Sequence, residues 1–265
     1  MAANYFQNKK IWITGASSGI GKAMAEELAK LGAKLVISGR RKEALMQLAK
    51  ELLVFGAQQV EVLPFDLEQE AERQNALAEM QKIWSAPDIL ILSGGLSQRS
   101  LIRDTELKVY RRLMEVDYLA NVELTKAFMD PWNNGKGQVV VISSLVGKIP
   151  TPYRSGYAAA KHALHGFYES LRAEQPHIKV NLICPGFIHT QVSVNALTGN
   201  NKALGEMDQA QANGMPAEIF AIKALKAIQN NKAVALIGGK EIWGVHLFRF
   251  FPGLFRKIIG KARVR

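Results

Sequence analysis

The sequence predicts an α/β fold in which a parallel sheet of about seven strands carries helices on both of its faces. Short apolar runs of strand length alternate with amphipathic stretches of helix length, and this alternation is typical of a doubly wound parallel sheet. A glycine-rich turn, residues 14–21, joins the first predicted strand to the first predicted helix. Apolar residues make up 48% of the chain and charged residues 22%, which places it among folded globular proteins.

The predicted strands are short apolar runs. The first reads Ile-Trp-Ile and the fourth reads Ile-Leu-Ile-Leu. Because a helical stretch separates each run from the next, we expect the strands to pair in parallel. They cover residues 11–13, 34–38, 60–63, 89–92, 139–142, 180–183 and 234–236.

Glycine and proline mark the ends of the predicted helices. The first helix ends at Gly32, the second is closed by Gly56, the fourth stops before Pro131, and Pro216 starts the last. Residues 191–215 are rich in Gly, Asn, Ala and Gln and are too long for an ordinary connection, so we predict a mobile lid. The helices cover residues 23–31, 41–55, 68–84, 107–129, 156–173 and 216–229.

Length and residue types favour one domain over residues 1–265, since α/β domains commonly reach this size. A single cysteine, Cys184, excludes an intrachain disulfide and fits a reducing cytoplasmic compartment without requiring it. The five histidines show no metal-ligand grouping with acidic residues, so no metal is expected. The first ten residues lack the apolar core of a secretory signal, and no apolar run has membrane-spanning length.

The formal net charge of +11 would attract nucleic acid or anionic membrane surfaces. Its distribution favours the membrane, because residues 242–265 interleave basic residues with large apolar side chains and contain no acidic residue. No nucleic-acid-binding motif is found. Two interpretations of this C-terminal tail stay open, namely peripheral contact with lipid or packing of its aromatic side chains on a partner subunit. Its basic residues are Arg249, Arg256, Lys257, Lys261, Arg263 and Arg265.

Gly15, Gly19 and Gly21 lie in the turn between the first strand and the first helix, with the spacing Thr-Gly-x-x-x-Gly-x-Gly. Glycine lets the chain turn tightly, and the helix N-terminus then presents amide donors to a pyrophosphate. Three glycines alone are weak evidence, because ordinary strand-to-helix turns also use them.

Tyr157 and Lys161 lie four residues apart in a predicted helix, which puts a phenol and an ammonium on one face. A nearby ammonium favours the phenolate, so Tyr157 could exchange a proton with a bound molecule. Ser144 precedes Tyr157 by thirteen residues, after the fifth predicted strand. The Tyr-x-x-x-Lys spacing is common on helix surfaces, but together with Ser144 and the glycine turn it predicts a proton-transfer site.

This combination resembles the short-chain dehydrogenase/reductase family, from about residue 9 to about residue 236. The resemblance implies a Rossmann-like fold and hydride transfer between a nicotinamide cofactor and a carbonyl/alcohol pair. It further implies that Tyr157 acts as general acid/base, that Ser144 polarises the substrate oxygen, and that Lys161 also holds the nicotinamide ribose. The implied cofactor-binding residues are Gly15, Ser17, Ser18, Gly19, Ile20, Gly21, Arg40, Asp66, Leu67, Gly94, Tyr157, Lys161, Pro185, Gly186, Ile188 and Thr190.

The end of the second strand reads Gly39-Arg40-Arg41, where an acidic residue would bind the ribose hydroxyls of NAD. A guanidinium suits a 2′-phosphate instead, so we predict NADP(H), with Arg40 as the main contact. The alternative is that both arginines only lie in solvent at a helix start. By the family resemblance, the side chain of Asp66 meets the adenine amine.

Asp117 departs from the family pattern, which has an asparagine at the matching position of the fourth helix. A carboxylate near Lys161 would partly cancel the field that acts on Tyr157. We therefore predict that Asp117→Asn leaves activity intact or raises it near neutral pH, and we include Asp117 with Ser144, Tyr157 and Lys161 among the catalytic candidates. A second departure, at residues 92–95, keeps glycines that let the loop lie beside the cofactor ribose.

The predicted function is that of an NADP(H)-dependent oxidoreductase acting on a small or lipophilic ketone or alcohol. Two alternatives stay open, a catalytically weak NADP(H)-binding regulator and a peripheral membrane scaffold. A homodimer or homotetramer through helices 107–129 and 156–173 is expected by analogy, in the cytoplasm or at a membrane surface. The apolar residues that favour a lipophilic substrate are Leu96, Leu145, Val146, Ile149, Tyr153, Phe187 and Val192.

Overall fold

Seven parallel strands form the central sheet of the computed structural model, which describes residues 5–133, 135 and 137–260. The strands of the structure are β1 (Lys10–Thr14), β2 (Lys34–Ile37), β3 (Gln59–Val62), β4 (Ile89–Leu92), β5 (Gln138–Ile142), β6 (Lys179–Pro185), β7 (Ile188–His189), β8 (Met215–Pro216) and β9 (Val234–Ile237). The order in the central sheet is β3-β2-β1-β4-β5-β6-β9, and the predicted parallel sheet is thereby confirmed. A further parallel pair, β7 with β8, was not predicted.

The helices connect these strands and extend beyond the last one. Two short 3₁₀ turns cover Ile102–Asp104 and Leu145–Gly147, and a π-helical turn covers Glu115–Leu119. The α-helices are α1 (Gly19–Lys30), α2 (Lys42–Phe55), α3 (Glu70–Ile83), α4 (Leu107–Met114), α5 (Ala120–Lys126), α6 (Ser155–Glu174), α7 (Gln209–Ala212), α8 (Ala217–Gln229), α9 (Ile242–Phe250) and α10 (Pro252–Ile259).

Alternate residues of the strands build two hydrophobic cores, one on each face of the sheet. Ile11 and Ile13 of β1 pack with α1, α2 and α8 on one face, whereas Trp12 packs with α3, α5 and α6 on the other. The register places Ile13 between Ile37 and Ile91. Burial on both faces explains why the central strand β4 is apolar throughout and why β1 carries three consecutive apolar residues.

The strand order also determines where a ligand can bind. From β1 the chain first builds β2 and β3 on one side, and then returns to build β4 on the other side. The connections therefore diverge at the carboxyl ends of β1 and β4. In open parallel sheets this divergence leaves a crevice between the loops, which is the usual ligand site.

The long helix predicted over residues 107–129 is present over residues 107–126, but its α-helical pattern is interrupted once. A π-helical turn separates α4 from α5, and regular helix ends at Lys126. Asn121 donates its side-chain amide to the carbonyl of Asp117 at 2.8 Å, and Thr125 donates its hydroxyl to the carbonyl of Asn121 at 2.8 Å. Such side-chain bonds to the preceding turn compete with the regular helical pattern. Pi-turns of this kind occur often beside functional sites.

The C-terminal tail forms the helices α9 and α10, whereas Lys261, Arg263 and Arg265 lie outside the described residues. The rings of Phe248 and Phe255 lie 5.0 Å apart and hold the two helices together. None of the described helices is both long enough and apolar enough to span a bilayer.

Candidate active site

A cavity of about 900 Å³ opens at the carboxyl ends of the parallel strands. Its walls come from the β1–α1 turn, the ends of β2 and β3, the loops after β4, β5 and β6, helix α6, and the segment 191–215. The cavity thus lies where the strand order predicts the crevice.

The glycine turn has no space for a side chain at Gly15 or Gly21. Gly15 has a φ of +69°, and a Cβ there would lie 2.6 Å from the Cα of Gly94. A Cβ at Gly21 would lie 2.3 Å from the carbonyl oxygen of Gly15. The hydroxyl of Thr14 accepts bonds from the amides of Ser93, at 3.2 Å, and Gly94. The backbone is therefore open to close approach by a diphosphate, and the residues present fit a dinucleotide.

Two arginines lie at the adenosine end that the fold implies. Arg40 is exposed and its guanidinium lies 3.9 Å from the carboxylate of Asp66. Arg41 donates a hydrogen bond of 3.0 Å to the carbonyl of Ser17 in the glycine turn. Both arginines line the cavity, as do Ser17 and Asp66. This end of the cavity can therefore accept a negatively charged group.

Ser144, Tyr157 and Lys161 line the other part of the same cavity. Ser144 follows β5, and its hydroxyl oxygen accepts a bond of 3.1 Å from the amide of Val146, which leaves the hydroxyl hydrogen available to a ligand. Tyr157 and Lys161 share one face of α6, with the ammonium nitrogen 5.6 Å from the centre of the phenol ring. Lys161 also donates to the carbonyl of Ile142 at 3.3 Å.

Asp117 forms a buried ion pair with Lys161, with 3.4 Å between carboxylate oxygen and ammonium nitrogen. The same oxygen accepts a bond of 3.0 Å from the amide of Leu96, while the second oxygen has no hydrogen-bond partner among the described residues. Burial raises the pKa of Asp117, and Lys161 only partly offsets this effect. Burial is the largest single effect and would lower the pKa of Lys161, but Asp117 together with Tyr157 and Cys184 outweighs it, and the pKa of Lys161 is raised.

The structure brings the predicted site residues together around this cavity, with one difference. Asp117 is fully buried behind the wall, and it contacts the cavity-lining residues Lys161 and Leu96 without lining the cavity itself. A Cβ at Gly95 would lie 2.4 Å from the Asp117 carboxylate, so glycine leaves room for this pair. The predicted residues that line the cavity are Gly15, Ser17, Ser18, Gly19, Ile20, Gly21, Arg40, Asp66, Leu67, Gly94, Ser144, Tyr157, Lys161, Pro185, Gly186, Ile188 and Thr190.

The apolar residues predicted near the site also line the cavity, except for Tyr153. The carbonyl of Tyr153 accepts a bond from the amide of Ser100 at 3.0 Å in the loop that precedes α6. Two apolar residues that sequence reasoning missed, Phe255 and Ile259 of α10, complete the wall. The spacing of apolar residues in the C-terminal tail is typical of a helix, but it does not show which part of the protein this helix packs against.

Arg99, Arg154 and Asp208 are buried residues of the cavity wall that sequence reasoning also missed. Arg99 contacts Asp208 through two guanidinium nitrogens, and Arg154 lies 3.5 Å from the same carboxylate oxygen. The three residues come from distant parts of the chain, so no local pattern links them. No group of three or more potential metal-ligating side chains occurs within residues 5–133, 135 and 137–260.

Solved structures with the same fold bind nicotinamide cofactors. A short-chain dehydrogenase/reductase from Burkholderia phymatum in complex with NAD superposes with a TM-score of 0.82 at 21% identity, covering 94% of this chain and 95% of that one. A short-chain dehydrogenase from Sphingobium yanoikuyae in complex with NADPH gives a TM-score of 0.76 at 25% identity, covering 96% and 97%.

Curated relatives are similar over nearly the whole chain. Dehydrogenase/reductase SDR family member 7B of Mus musculus is 38% identical over 262 residues, which cover 96% of this chain and 81% of the relative. Dehydrogenase/reductase SDR family protein 7-like of Drosophila melanogaster is 33% identical over 269 residues, covering 99% and 82%. The profile described as short chain dehydrogenase matches residues 9–201. The chain therefore belongs to the short-chain dehydrogenase/reductase family of oxidoreductases.

Proposed function

We propose that the chain is an NADP(H)-dependent oxidoreductase that interconverts a carbonyl compound and its alcohol. The observation that carries this proposal is a single cavity lined by the glycine turn, by Arg40 and Arg41, and by Tyr157 and Ser144. The arginines favour a cofactor with a 2′-phosphate over NAD, because no acidic residue ends β2 and two guanidinium groups lie there.

Bound NADPH would supply the hydride for the carbonyl carbon. Tyr157 donates its phenolic proton to the carbonyl oxygen as that oxygen gains negative charge, and it takes the proton back when the alcohol is oxidised. Ser144 donates its free hydroxyl hydrogen to the same oxygen. The ammonium of Lys161 stabilises the phenolate, and its remaining N–H can hold a ribose hydroxyl beside the bonds to Asp117 and Ile142.

NADPH oxidation over a panel of ketones and quinones tests this function. Tyr157→Phe is expected to lower kcat by about a hundredfold or more, because a positioned general acid contributes about 10² to 10⁴. Its affinity for NADPH should stay within a few-fold. Tyr110→Phe is the matched control, since the Tyr110 hydroxyl bonds to Ser155 and Tyr110 does not line the cavity. NADPH binding without turnover of any compound, unchanged by Tyr157→Phe, would instead favour the regulator.

The segment 191–215 is proposed as the substrate lid. Its backbone bonds to the loop after β4, with Leu197 donating to Ser97 and accepting from Arg99, each at 2.8 Å. Gln191, Val192, Asn195, Asp208, Ala210 and Gln211 of this segment line the cavity. Opening of the segment 191–215 should therefore expose the part of the cavity that contains Ser144 and Tyr157, and it should leave the glycine turn undisturbed.

A second proposal concerns the hairpin of α9 and α10 as a peripheral membrane contact. One side of the hairpin packs inward through Phe255, while large apolar side chains on the other side are exposed. Exposed cations accompany them, which suits an anionic lipid surface. The exposed residues of this surface are Trp243, Arg249, Phe250, Phe251, Leu254, Arg256, Lys257 and Ile258.

Vesicle sedimentation tests the hairpin. The wild-type protein is expected to bind phosphatidylcholine vesicles that contain phosphatidylserine, less so at high salt, and not phosphatidylcholine alone. A Phe250→Ser/Phe251→Ser double variant should lose this binding. Leu53→Ser/Val54→Ser on α2 is the matched control, because both side chains are exposed there without lining the cavity. Unchanged binding by the hairpin variant would overturn this role.

We further propose a homodimer or homotetramer through the faces of α4, α5 and α6. Leu107 of α4 is 61% exposed, and Leu119 of the π-helical turn between α4 and α5 is 46% exposed, so both apolar side chains are available to a partner subunit. Light scattering coupled to size exclusion measures the assembly directly. A Leu107→Glu/Leu119→Glu variant should shift it toward monomer, and a monomeric wild-type protein would contradict this proposal.

A further inference from the structure

Three buried charges form a cluster in the wall of the cavity. Arg99, Arg154 and Asp208 are 5%, 7% and 8% exposed. Both guanidinium groups approach the same carboxylate oxygen of Asp208, with the Nε of Arg99 at 3.0 Å and the Nη2 of Arg154 at 3.5 Å. Among the described residues no other carboxylate lies within ion-pair distance of either arginine. Two positive charges therefore share one negative charge, and the cluster is positive by one unit.

Arg99 has a structural role, because its bond to Asp208 holds the segment 191–215 in place. This role does not account for the burial of Arg154. Arg99 uses its nitrogens on Asp208, on the hydroxyl of Ser97 and on the carbonyl of Gln98. Arg154, by contrast, has only the long contact to Asp208, and its buried Nε has no hydrogen-bond partner within the described residues. Burial of a guanidinium group with so few hydrogen-bond partners is unfavourable unless a ligand supplies the missing acceptors.

Two further polar residues belong to the cavity wall: Thr151 precedes Arg154 by three residues, and the amide of Gln211 donates to the carbonyl of Asp208 at 3.0 Å. The hydroxyl of Thr151 and the side-chain oxygen of Gln211 are also buried without hydrogen-bond partners in the part of the chain that the structure describes. Both residues line the cavity, as Arg154 does. Thr151 can donate to an anion, and Gln211 can accept from a hydroxyl beside it. Two segments of the chain, the loop before α6 and the segment 191–215, thus place unused polar groups in the wall of the cavity.

This region lies beside the proposed reaction centre. Arg154 precedes the first residue of α6, one helical turn before Tyr157, and the two side chains interact electrostatically. Burial and the charge of Arg99 lower the pKa of Arg154 to about 10. Arg154 thus stays charged at neutral pH, although its charge is poorly compensated, and the negative charge of a bound anion would offset both effects.

We infer that Arg154, with Arg99 as its positively charged neighbour, binds an anionic group of the substrate next to Tyr157. The inference rests on the proposed function and deepens it, since it names the substrate class as carbonyl compounds that carry a carboxylate or a phosphate. The apolar wall of Val146, Ile149 and Phe255 then contacts the rest of the substrate. A guanidinium binds either oxyanion through paired N–H donors.

Matched pairs of ketones test the inference. One pair is a medium-chain keto acid and its neutral methyl amide, and the other is a medium-chain ketoalkyl phosphate and its neutral keto alcohol. The wild-type protein with NADPH is expected to prefer the anionic member of at least one pair by about tenfold or more in kcat/KM. The pair with the larger preference identifies the anion. Arg154→Gln should reduce this preference at least tenfold, chiefly through KM.

Two other variants sharpen the test. Asp208→Asn removes the shared negative charge and should increase the preference for the anionic ketone. Arg103→Gln, at an exposed arginine outside the cavity, should leave the preference unchanged. Thermal unfolding without ligand checks that each variant is folded. A saturated fatty acid, which cannot be reduced, should raise the Tm of the wild-type protein more than that of Arg154→Gln, or an alkyl phosphate should do so if phosphate is preferred.

The outcomes separate this inference from the proposed function. Equal kcat/KM for the charged and neutral members of both pairs, with neither anionic probe raising the Tm, would overturn the anion site while leaving the oxidoreductase function intact. No turnover of any ketone would overturn the proposed function. In that case a Tm increase by the anionic probe that Arg154→Gln abolishes would still support the anion site, and its absence would reject that site.

Discussion

Asp117 sets the electrostatic environment of Lys161. The carboxylate lies 3.4 Å from the ammonium, and it raises the pKa of Lys161 against the opposite effect of burial. Asp117→Asn keeps the shape and the bond to the Leu96 amide but removes the charge. The pKa of Lys161 should then fall, because burial lowers it and the opposing carboxylate is gone. Activity near neutral pH should be kept or increased, while the alkaline decline should move to lower pH.

The pH profile of kcat/KM with NADPH checks this prediction. The control is Asp104→Asn, the same chemical change at an exposed aspartate that does not line the cavity. If the alkaline decline of kcat/KM occurs at the same pH in Asp117→Asn as in the wild-type protein, then the charge of Asp117 does not control the pKa of Lys161. A large loss of activity near neutral pH would show that the carboxylate itself is required.

Arg40 is expected to decide between the two nicotinamide cofactors. Its guanidinium lines the cavity and lies near Asp66. A hydrogen bond between charged groups contributes about 1.5–3 kcal/mol, which corresponds to about 10- to 150-fold in affinity. Arg40→Ala should raise KM for NADPH by about this factor and change KM for NADH only a few-fold. Equal effects on both cofactors, measured by steady-state kinetics beside Arg103→Ala, would contradict a 2′-phosphate contact.

At the scale of elements, close backbone approach in the β1–α1 turn requires glycine. Gly21→Ala would place a Cβ 2.3 Å from the carbonyl oxygen of Gly15, and neither backbone can move without shifting α1 on the sheet. We expect a loss of stability of about 1–3 kcal/mol and weaker NADPH binding. Gly166→Ala is the control in α6, since nothing lies within 4 Å of its added Cβ.

Gly166→Ala should increase stability by about 0.5–1 kcal/mol, because alanine is the better helix former in an exposed helix interior. Chemical denaturation and NADPH titration of both variants measure the contrast. A Gly21→Ala protein as stable as the wild type, with unchanged NADPH affinity, would show that the turn can relax.

For the whole molecule, His165 links folding to acid pH. This α6 residue is buried against the hydroxyl of Ser143 and the thiol of Cys184, and burial lowers its pKa from 6.5 to about 3. The unfolded chain therefore binds a proton that the folded protein does not bind between these values. Stability should fall as the pH drops through this window, by up to about 1.4 kcal/mol per pH unit from this residue.

Denaturation at several pH values tests the contribution of His165. His165→Gln stays neutral throughout, so its unfolding free energy should depend less steeply on pH between 6.5 and 3. The comparison uses the slope of the unfolding free energy against pH, because a general loss of packing in the variant would lower the free energy without changing this slope. Identical slopes for the two proteins would assign the acid sensitivity to other groups. His162, exposed on the same helix, provides the control substitution His162→Gln.

The parallel sheet could be predicted because its signals are local. Seven apolar runs separated by helical patterns, with turns marked by glycine and proline, determine the strands and their parallel pairing. The glycine turn and the Tyr157–Lys161 spacing are local as well, and the fold places both on the cavity. The π-turn at Glu115–Leu119 could not be predicted, because it depends on bonds made by Asn121 and on the partner of Asp117.

The sequence alone determined the family pattern, the cofactor turn and the residues proposed for proton transfer, since each is written in short-range spacing. Only the tertiary structure decided which distant residues line the proposed substrate site. Arg99, Arg154 and Asp208 come together across the β4 loop, the start of α6 and the segment 191–215. Phe255 of α10 likewise reaches the wall from the end of the chain. Contacts between such distant positions follow from packing of the whole chain, and spacing along the sequence carries no trace of them.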